Sequence, residues 1–167
     1  MNNEETKQHL AESLDSIETA YEDFGAILNR CADRETVERF AEHHGITLDD
    51  YGINEENLED LDDDAARDDV CGELEGVAMD IMGDYPLSVD DSHIWFTLGG
   101  PNISANVTGW SVNVDNGGRP WVDVQDITLL GRWGGASVDR DVWRGSFMFE
   151  QIAEMFEQNL LMKFGAF

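Results

Sequence analysis

The chain is poor in basic residues, cysteine and proline. Only ten of its 167 residues are Lys or Arg, two are Cys and three are Pro. The cysteines have no disulfide-like or metal-like spacing and no basic and apolar leader opens the chain, so we expect a reducing cytoplasm. No apolar run approaches the about 18–20 residues that cross a bilayer. The shortage of basic residues argues against direct binding to nucleic acid or to acidic membranes.

Catalytic and metal-binding motifs are also missing. His43 and His44 are adjacent, so on a helix their side chains point about 100° apart, and no further ligand follows at zinc spacing. Cys31 and Cys71 are flanked by acids, which disfavour the thiolate that a nucleophile needs. Among 36 Asp and Glu, no carboxylate pair stands out as an acid and a base. We therefore predict that the chain is not an enzyme and holds no cofactor and no metal.

Negative charge is what the chain has in excess. The net charge is −26, and a field of that size attracts basic partners over about 8–10 Å. Residues 1–91 carry 28 acids and five bases, residues 92–167 only eight acids and five bases, and residues 49–91 alone hold 17 acids against Arg67. Salt adaptation spreads carboxylates over a whole surface, so this uneven placement favours a local interaction. An acidic soluble protein of a halophile is the alternative.

Apolar spacing predicts a long helix from about residue 3 to residue 31. Its inner stripe has intervals of four and three and consists of Leu10, Leu14, Ile17, Tyr21, Phe24 and Leu28. We expect this stripe to pack within its own domain. The alternative is an assembly protein in which the same six residues form the seam of a homodimer.

Capping residues predict two or three more helices in the first half. Asp33 is a suitable N-cap and Gly45 a C′ stop for the second helix. Asn54 is expected to cap a third helix that continues to about Ala65. The apolar phase then changes, which predicts a kink or a fourth helix capped by Asp68 or Asp69 and ended near residue 83.

The second half has the alternation and the turns of a β-sheet. Strands are predicted at residues 93–98, 103–109, 110–115 and 121–130, with a hairpin turn at residues 116–118 and a loop opening at Gly134. Ser146 is expected to cap a final helix that lies on the sheet. The five tryptophans are predicted to be core residues with one exposed, and they are Trp95, Trp110, Trp121, Trp133 and Trp143.

These elements predict an α+β fold. Acidic N-terminal helices (residues 1–83) are expected to pack with an antiparallel sheet of about four strands and a C-terminal helix (residues 84–167). Because the chain has the length of one ordinary domain and no Pro-rich linker, we expect residues 1–167 to form a single domain.

Three short motifs carry a resemblance. The segment DYPLSV at residues 84–89, the turn LGGP at residues 98–101 and the pair Gln125-Asp126 occur in this order in small uncharacterised phage and mobile-element proteins, which the chain resembles. The motifs are structural, so the resemblance implies no site. A small acidic protein of such an element is similar in kind to anti-restriction and anti-CRISPR inhibitors, which present carboxylates where a defence protein binds phosphates.

The acidic stretch has a charge density comparable to that of DNA. Seven carboxylates lie within residues 59–69, which as a helix gives one charge per ~2.3 Å. Duplex DNA has one per ~1.7 Å with both strands counted and ~3.4 Å per strand. We therefore predict a nucleic-acid mimic that binds the basic groove of a defence protein in the host cytoplasm. The predicted partner-binding residues are Asp49, Asp50, Glu55, Glu56, Glu59, Asp60, Asp62, Asp63, Asp64, Asp68 and Asp69.

Overall fold

The computed structural model describes residues 2–97, 100–163 and 165, and its elements confirm the α+β class. The helices are α1 (Asn3–Leu28), α2 (Arg34–His44), a 3-10 helix (Leu48–Tyr51), α3 (Glu55–Glu59), α4 (Asp64–Asp84) and α5 (Phe147–Lys163). The strands are β1 (Ser88–Asp90), β2 (His93–Thr97), β3 (Asn102–Val114), β4 (Pro120–Trp133) and β5 (Ala136–Asp141). They form one antiparallel sheet in the order β1-β2-β3-β4-β5, so the sheet has one strand more than the predicted four. None of the described helices is both long and apolar enough to cross a membrane.

The chain divides into two compact units. The first contains Met1–Ile17 and Pro86–Phe167, and the second contains Glu18–Tyr85. The predicted boundary after residue 83 lies close to the observed one, but the sequence assigned all of α1 to the helical layer. The start of α1 instead belongs with the sheet, where a Cβ added to Gly131 of β4 would lie 3.3 Å from Leu10. That residues 1–167 fold as a single domain stays a prediction.

The apolar stripe of α1 is filled by packing within the chain. Five of its six predicted members, from Leu10 to Phe24, are buried. Leu28 is only half-buried, and Ile27 takes the inward place with 1% exposure. The position three residues after Phe24 therefore continues the stripe. A homodimer seam along this stripe would have to use side chains that are already buried in the single chain.

The second unit has the predicted caps on α2. The Asp33 side chain accepts a hydrogen bond of 2.8 Å from the Thr36 backbone N–H, and that bond lowers the pKa of Asp33. Gly45 ends the helix with a φ of 65°, in the left-handed region that glycine tolerates. The inner face of α2 consists of Val37, Phe40 and Ala41, all buried as predicted.

The sheet differs from the sequence prediction in strand continuity. The two strands predicted at residues 103–109 and 110–115 are one strand, β3, whose pairing with β4 shifts register around Gly109. The predicted break between residues 109 and 110 coincides with this irregularity. The missed strand β5 carries Asp139, Arg140 and Asp141, and charged side chains are common on edge strands because they discourage further pairing. Leu98, the predicted end of β2, lies outside the described residues, as does Gly99 of the LGGP turn.

Tight turns join the later strands. The β3–β4 hairpin closes with a backbone hydrogen bond of 3.0 Å from Gly118 to Asp115, at the predicted turn. Gly134 and Gly135 have φ values of 56° and 84°, and they form the β4–β5 hairpin where the sequence predicted a loop.

Helix α5 packs on the sheet as predicted. The Ser146 Oγ accepts a hydrogen bond of 3.1 Å from the Phe149 N–H at its start. Further along, the Phe156 ring lies edge-on to Trp110 with 5.4 Å between ring centroids. The Glu157 carboxylate accepts a hydrogen bond of 2.7 Å from the Val122 N–H of β4.

The prediction that the tryptophans are mainly core residues is wrong. Trp143 is 75% exposed, and Trp110, Trp121 and Trp133 are each 42–45% exposed, while Trp95 is half-buried. Trp110 and Trp121 lie where the β3–β4 hairpin extends past β2 and β5, so that no further strand of the described chain flanks them. The core of the sheet is made instead by smaller residues such as Ile94, Ala105 and Leu129.

We expect the replacement of Arg39 by Met to destabilise the protein. The Asp23 side chain is 2% exposed, and Arg39 donates to both of its oxygens at 2.5–3.2 Å. Removing the guanidinium leaves a buried carboxylate without its partner. The expected loss in the free energy of unfolding is about 2 kcal/mol, below the range for fully buried pairs because Arg39 itself is 40% exposed. Urea unfolding measures it. Arg34→Met is the control, and an equal loss in both variants would contradict the role of burial.

The pH dependence of stability should contain a contribution from His44. Its ring stacks on Phe24 at 5.3 Å, and burial, then the neighbouring His43, lowers its pKa, while Asp23 acts in the opposite direction. Below about pH 6.5 the unfolded chain takes up a proton that the folded chain resists. Stability should therefore fall as the pH drops below about 6.5. Urea titrations at several pH values should show a weaker dependence for His44→Phe, and an equal dependence in both chains would contradict this role of His44.

Candidate acidic interaction surface

The segment of residues 49–69 folds as short pieces joined by capped ends. The 3-10 helix carries Asp49 and Asp50 and ends at Tyr51, where Gly52 forms the C-cap with a φ of 73°. Asn54 then caps α3 as predicted, in a reciprocal pair with Asn57 whose two backbone-to-side-chain hydrogen bonds measure 2.8 and 3.0 Å. Such a capping box satisfies two backbone donors at once. These caps fix the backbone of residues 49–69, which we call the frame.

The predicted continuous helix to Ala65 is wrong, and so is the predicted cap at Asp68 or Asp69. Helix α3 ends at Glu59, and α4 begins at Asp64 with Asp63 as its N-cap, accepting a hydrogen bond of 3.1 Å from the Ala66 N–H. An Asp side chain competes for backbone donors and so favours a cap over a helix interior. Asp68 and Asp69 lie within α4. The carboxylates thus do not form the single helical row that the density estimate assumed.

Buried apolar residues lie between the acids along the sequence and anchor the frame. Ile53, Leu58, Leu61 and Val70 are each at most 7% exposed. Because these side chains face inward, the charged residues between them face solvent. All eleven predicted partner-binding residues are exposed, and they are Asp49, Asp50, Glu55, Glu56, Glu59, Asp60, Asp62, Asp63, Asp64, Asp68 and Asp69. That they bind a partner stays a prediction.

Three of the eleven carboxylates are neutralised by arginines. Arg34 pairs with Glu55 at 2.5 Å, Arg67 with Asp64 at 2.5 Å and Arg30 with Asp68 at 3.1 Å. Within the described chain no ion pair involves the other eight, of which Asp63 serves as the helix cap. These eight are Asp49, Asp50, Glu56, Glu59, Asp60, Asp62, Asp63 and Asp69. We call them the open carboxylates.

The unit that carries the open carboxylates has no spare positive charge. Residues 18–85 contain 22 acidic and four basic residues, a net of −18, whereas the other unit contains 14 acidic and six basic residues. All four bases are arginines, and each makes an ion pair with an acid of the same unit. The electrostatic field at this surface is therefore negative, and it favours cationic side chains of a partner.

Arg30 organises the edge of this surface, and the sequence analysis missed it. Its guanidinium donates to the Asp68 carbonyl oxygen at 3.0 Å and reaches the Glu75 carboxylate at 3.1 Å. A Cβ added to Gly72 of α4 would lie 3.0 Å from Arg30 Nη1. A glycine inside a helix costs about 1 kcal/mol relative to alanine, so Gly72 was a usable signal that something approaches α4 closely. Nothing in the sequence indicated that Arg30, which is distant from Gly72 along the chain, is the residue that approaches.

A cleft of about 510 Å³ opens beside Arg30. Its lining includes Tyr51, Asn57, Asp68, Asp69 and Glu73. Among the described residues, no group of three His, Cys, Asp or Glu is placed to hold a metal ion together. These carboxylates can accept hydrogen bonds and form ion pairs with Arg or Lys side chains of a partner. Phosphates are bound by the same donor groups of Arg and Lys.

We expect Asp63→Ala to destabilise the protein and Asp62→Ala to leave its stability almost unchanged. The two neighbours carry the same charge and are both exposed, but only Asp63 accepts the hydrogen bond that begins α4. Loss of an N-cap costs about 1 kcal/mol. Urea unfolding followed by circular dichroism measures the difference. Equal midpoints for the two variants would contradict a helix start at this position.

Comparison with protein-family models, with characterised proteins and with solved structures finds no match for the chain.

Proposed function

We propose that the chain is an acidic inhibitor from a phage or mobile element that occupies the basic nucleic-acid groove of a host defence protein, of anti-CRISPR or anti-restriction type. The observation that supports it is the set of eight open carboxylates on a folded frame, in a unit whose arginines are all engaged. The proposal places the chain in the host cytoplasm, where such a protein works.

Mimicry of this kind does not require a straight row of charges. A groove that binds phosphates holds Lys and Arg side chains, which are long and reach acceptors at somewhat different positions. What they require is a high local density of acceptors that stay in place. The caps at Asn54 and Asp63 and the buried Leu58 and Leu61 fix the backbone, so little conformational entropy remains to be lost on binding.

Solubility alone explains this arrangement less well. Like charges at helical spacings of three and four destabilise a helix by a few tenths of a kcal/mol per pair. The second unit nevertheless contains 22 acidic residues and only four arginines. A protein adapted to high salt remains the second candidate, supported by the presence of only two lysines in the whole chain. It predicts folding that is lost below molar salt.

The decisive experiment neutralises four open carboxylates that make no cap. The variant combines Glu56→Gln, Glu59→Gln, Asp60→Asn and Asp62→Asn. Immobilised chain should retain nucleic-acid-binding proteins from a bacterial lysate, and a duplex DNA oligonucleotide should displace them because both ligands use one groove. Retention should weaken with added salt. The variant should bind about tenfold more weakly or worse, since each exposed ion pair contributes about 0.2–1 kcal/mol.

The matched control changes the net charge by the same amount in the other unit. It combines Glu12→Gln, Asp139→Asn, Asp141→Asn and Glu154→Gln, all at exposed positions. The control should bind as the unaltered chain does. Equal weakening in both variants would show that the total charge acts rather than this surface, and retention that DNA does not displace would overturn the mimicry. Loss of folding of the unaltered chain at low salt would favour the halophilic alternative.

A further inference from the structure

The outer part of β3 has no neighbouring strand on one side. Strand β2 pairs with β3 from Ile103 to Asn106, and a last backbone hydrogen bond of 2.8 Å runs from the Val107 N–H to the Ser92 carbonyl oxygen. Beyond that point, in the described chain, residues 108–114 pair only with β4. This length of β3 is therefore an open edge, which we call the free edge.

The direction of the backbone groups on the free edge follows from two hydrogen bonds. The Val122 N–H points away from β3, because it donates to Glu157 at 2.7 Å, and Val122 lies opposite Val112. At the end of the hairpin, the Asp115 N–H donates to the Arg119 carbonyl oxygen at 2.9 Å. Antiparallel pairs alternate between bonded and non-bonded, so both observations make Val112–Val122 a non-bonded pair. Alternate residues of β3 therefore direct their N–H and C=O groups outward, namely Trp110, Val112 and Val114.

The side chains of these three residues share one exposed face. Trp110 is 43% exposed, Val112 46% and Val114 67%. Residues 108–114 include no charged residue, although the chain as a whole carries −26. Exposed, uncharged strand edges rich in β-branched and aromatic residues are the surfaces to which another strand adds.

The corresponding edge of β4 is blocked. Glu157 accepts the outward N–H of Val122, and Pro120 has no N–H to offer. The two edges of the hairpin are therefore not equivalent at Pro120 and Val122, where β4 has no free N–H to offer to another strand.

We propose that the free edge of β3 pairs with the free edge of a second copy of this chain, antiparallel, with Val112 opposite the same residue across a two-fold axis. In this register all three outward residues find backbone partners, because Trp110 of each copy lies opposite Val114 of the other. Their side chains then form one apolar face across both copies.

The free edge lets a second copy approach although each chain carries −26, because this edge holds no charge of its own. The acidic surface attracts cationic proteins, but the free edge has no charge to which such proteins would bind preferentially. Two copies approach here without like charges in direct opposition, which would destabilise a strand pair. A two-fold contact uses the same surface twice and closes as a dimer. In this register five residues per copy, Trp110 to Val114, lie opposite each other. The interface is therefore small, and we expect a weak, concentration-dependent dimer.

The response to salt separates this contact from the proposed function, on which it does not depend. Two chains of −26 repel each other at long range, and salt screens that repulsion, from a Debye length of about 8 Å at 0.15 M to about 3 Å at 1 M. Dimerisation should therefore strengthen with salt, whereas binding to a basic groove should weaken.

Sedimentation of the full chain over a range of concentrations tests the proposal. The unaltered chain should dimerise more at 1 M than at 0.15 M salt. Val112→Asp and Val112→Lys should each raise the dimer dissociation constant about fivefold or more, because like charges then face each other across the axis. An equimolar mixture of the two variants should restore dimers, since opposite charges meet at the same place. Circular dichroism checks that both variants fold.

The control moves the same changes by one residue. Asn113 points to the opposite face of β3 and would lie opposite Ser111 of the second copy, so Asn113→Asp and Asn113→Lys should each dimerise as the unaltered chain does. A chain that sediments as a monomer at every concentration and salt overturns the proposal. A dimer that survives in both Val112 variants, or one that their mixture does not restore, overturns the free edge or its register.

Discussion

Repulsion among carboxylates in residues 18–85 is the constraint on which the rest of this structure depends. Four arginines are present to oppose 22 acids, and three of them lie within ten residues, between Arg30 and Arg39. From there each reaches a different element: Arg30 binds α4 through Asp68 and Glu75, Arg34 binds α3 through Glu55, and Arg39 binds α1 through Asp23. Few cations thus tie the acidic helices of this unit together, and none of the four is left for a phosphate.

The remaining repulsion is relieved by exposure and by caps. Water screens an outward carboxylate well, so the open carboxylates cost little while the frame beneath them stays folded. Helix ends use further acids, because Asp33 and Asp63 each accept a backbone N–H where the helix dipole is positive. In this chain, some acids therefore stabilise the fold as helix caps or as partners of arginines. Apart from the cap Asp63, the open carboxylates have no such role, and they make up the surface that we assign to a partner.

Local chemistry made much of this fold predictable. The caps at Asp33 and Asn54, the stop at Gly45 and the hairpin turn before Arg119 each depend on a few neighbouring residues, and all were predicted. The start of α4 was not, because Asp63, Asp64, Asp68 and Asp69 are equally good caps and only the packing of Leu61 and Val70 chooses among them. The exposed acids were predictable from their charge. Their ion pairs were not, since Arg30 and Glu75 are brought together by tertiary structure. The exposure of Trp110 and Trp121 likewise depends on where β2 and β5 stop.

The acidic surface and the free edge of β3 act over different distances. The two proposed contacts can therefore form one after the other. Carboxylates attract a basic groove over about a Debye length and so act before contact, while strand pairing acts only at contact. A dimer joined through β3 would carry the open carboxylates twice. Binding of the first copy would then raise the effective concentration of the second at the same partner. A repeated or extended basic groove gains from such a dimer, whereas a single short groove does not. Repulsion between the acidic surfaces of the two copies would keep the dimer weak in the absence of a partner, and cations of the groove would remove that repulsion. Association with the partner and association between copies would in this way support each other, although salt affects them in opposite directions.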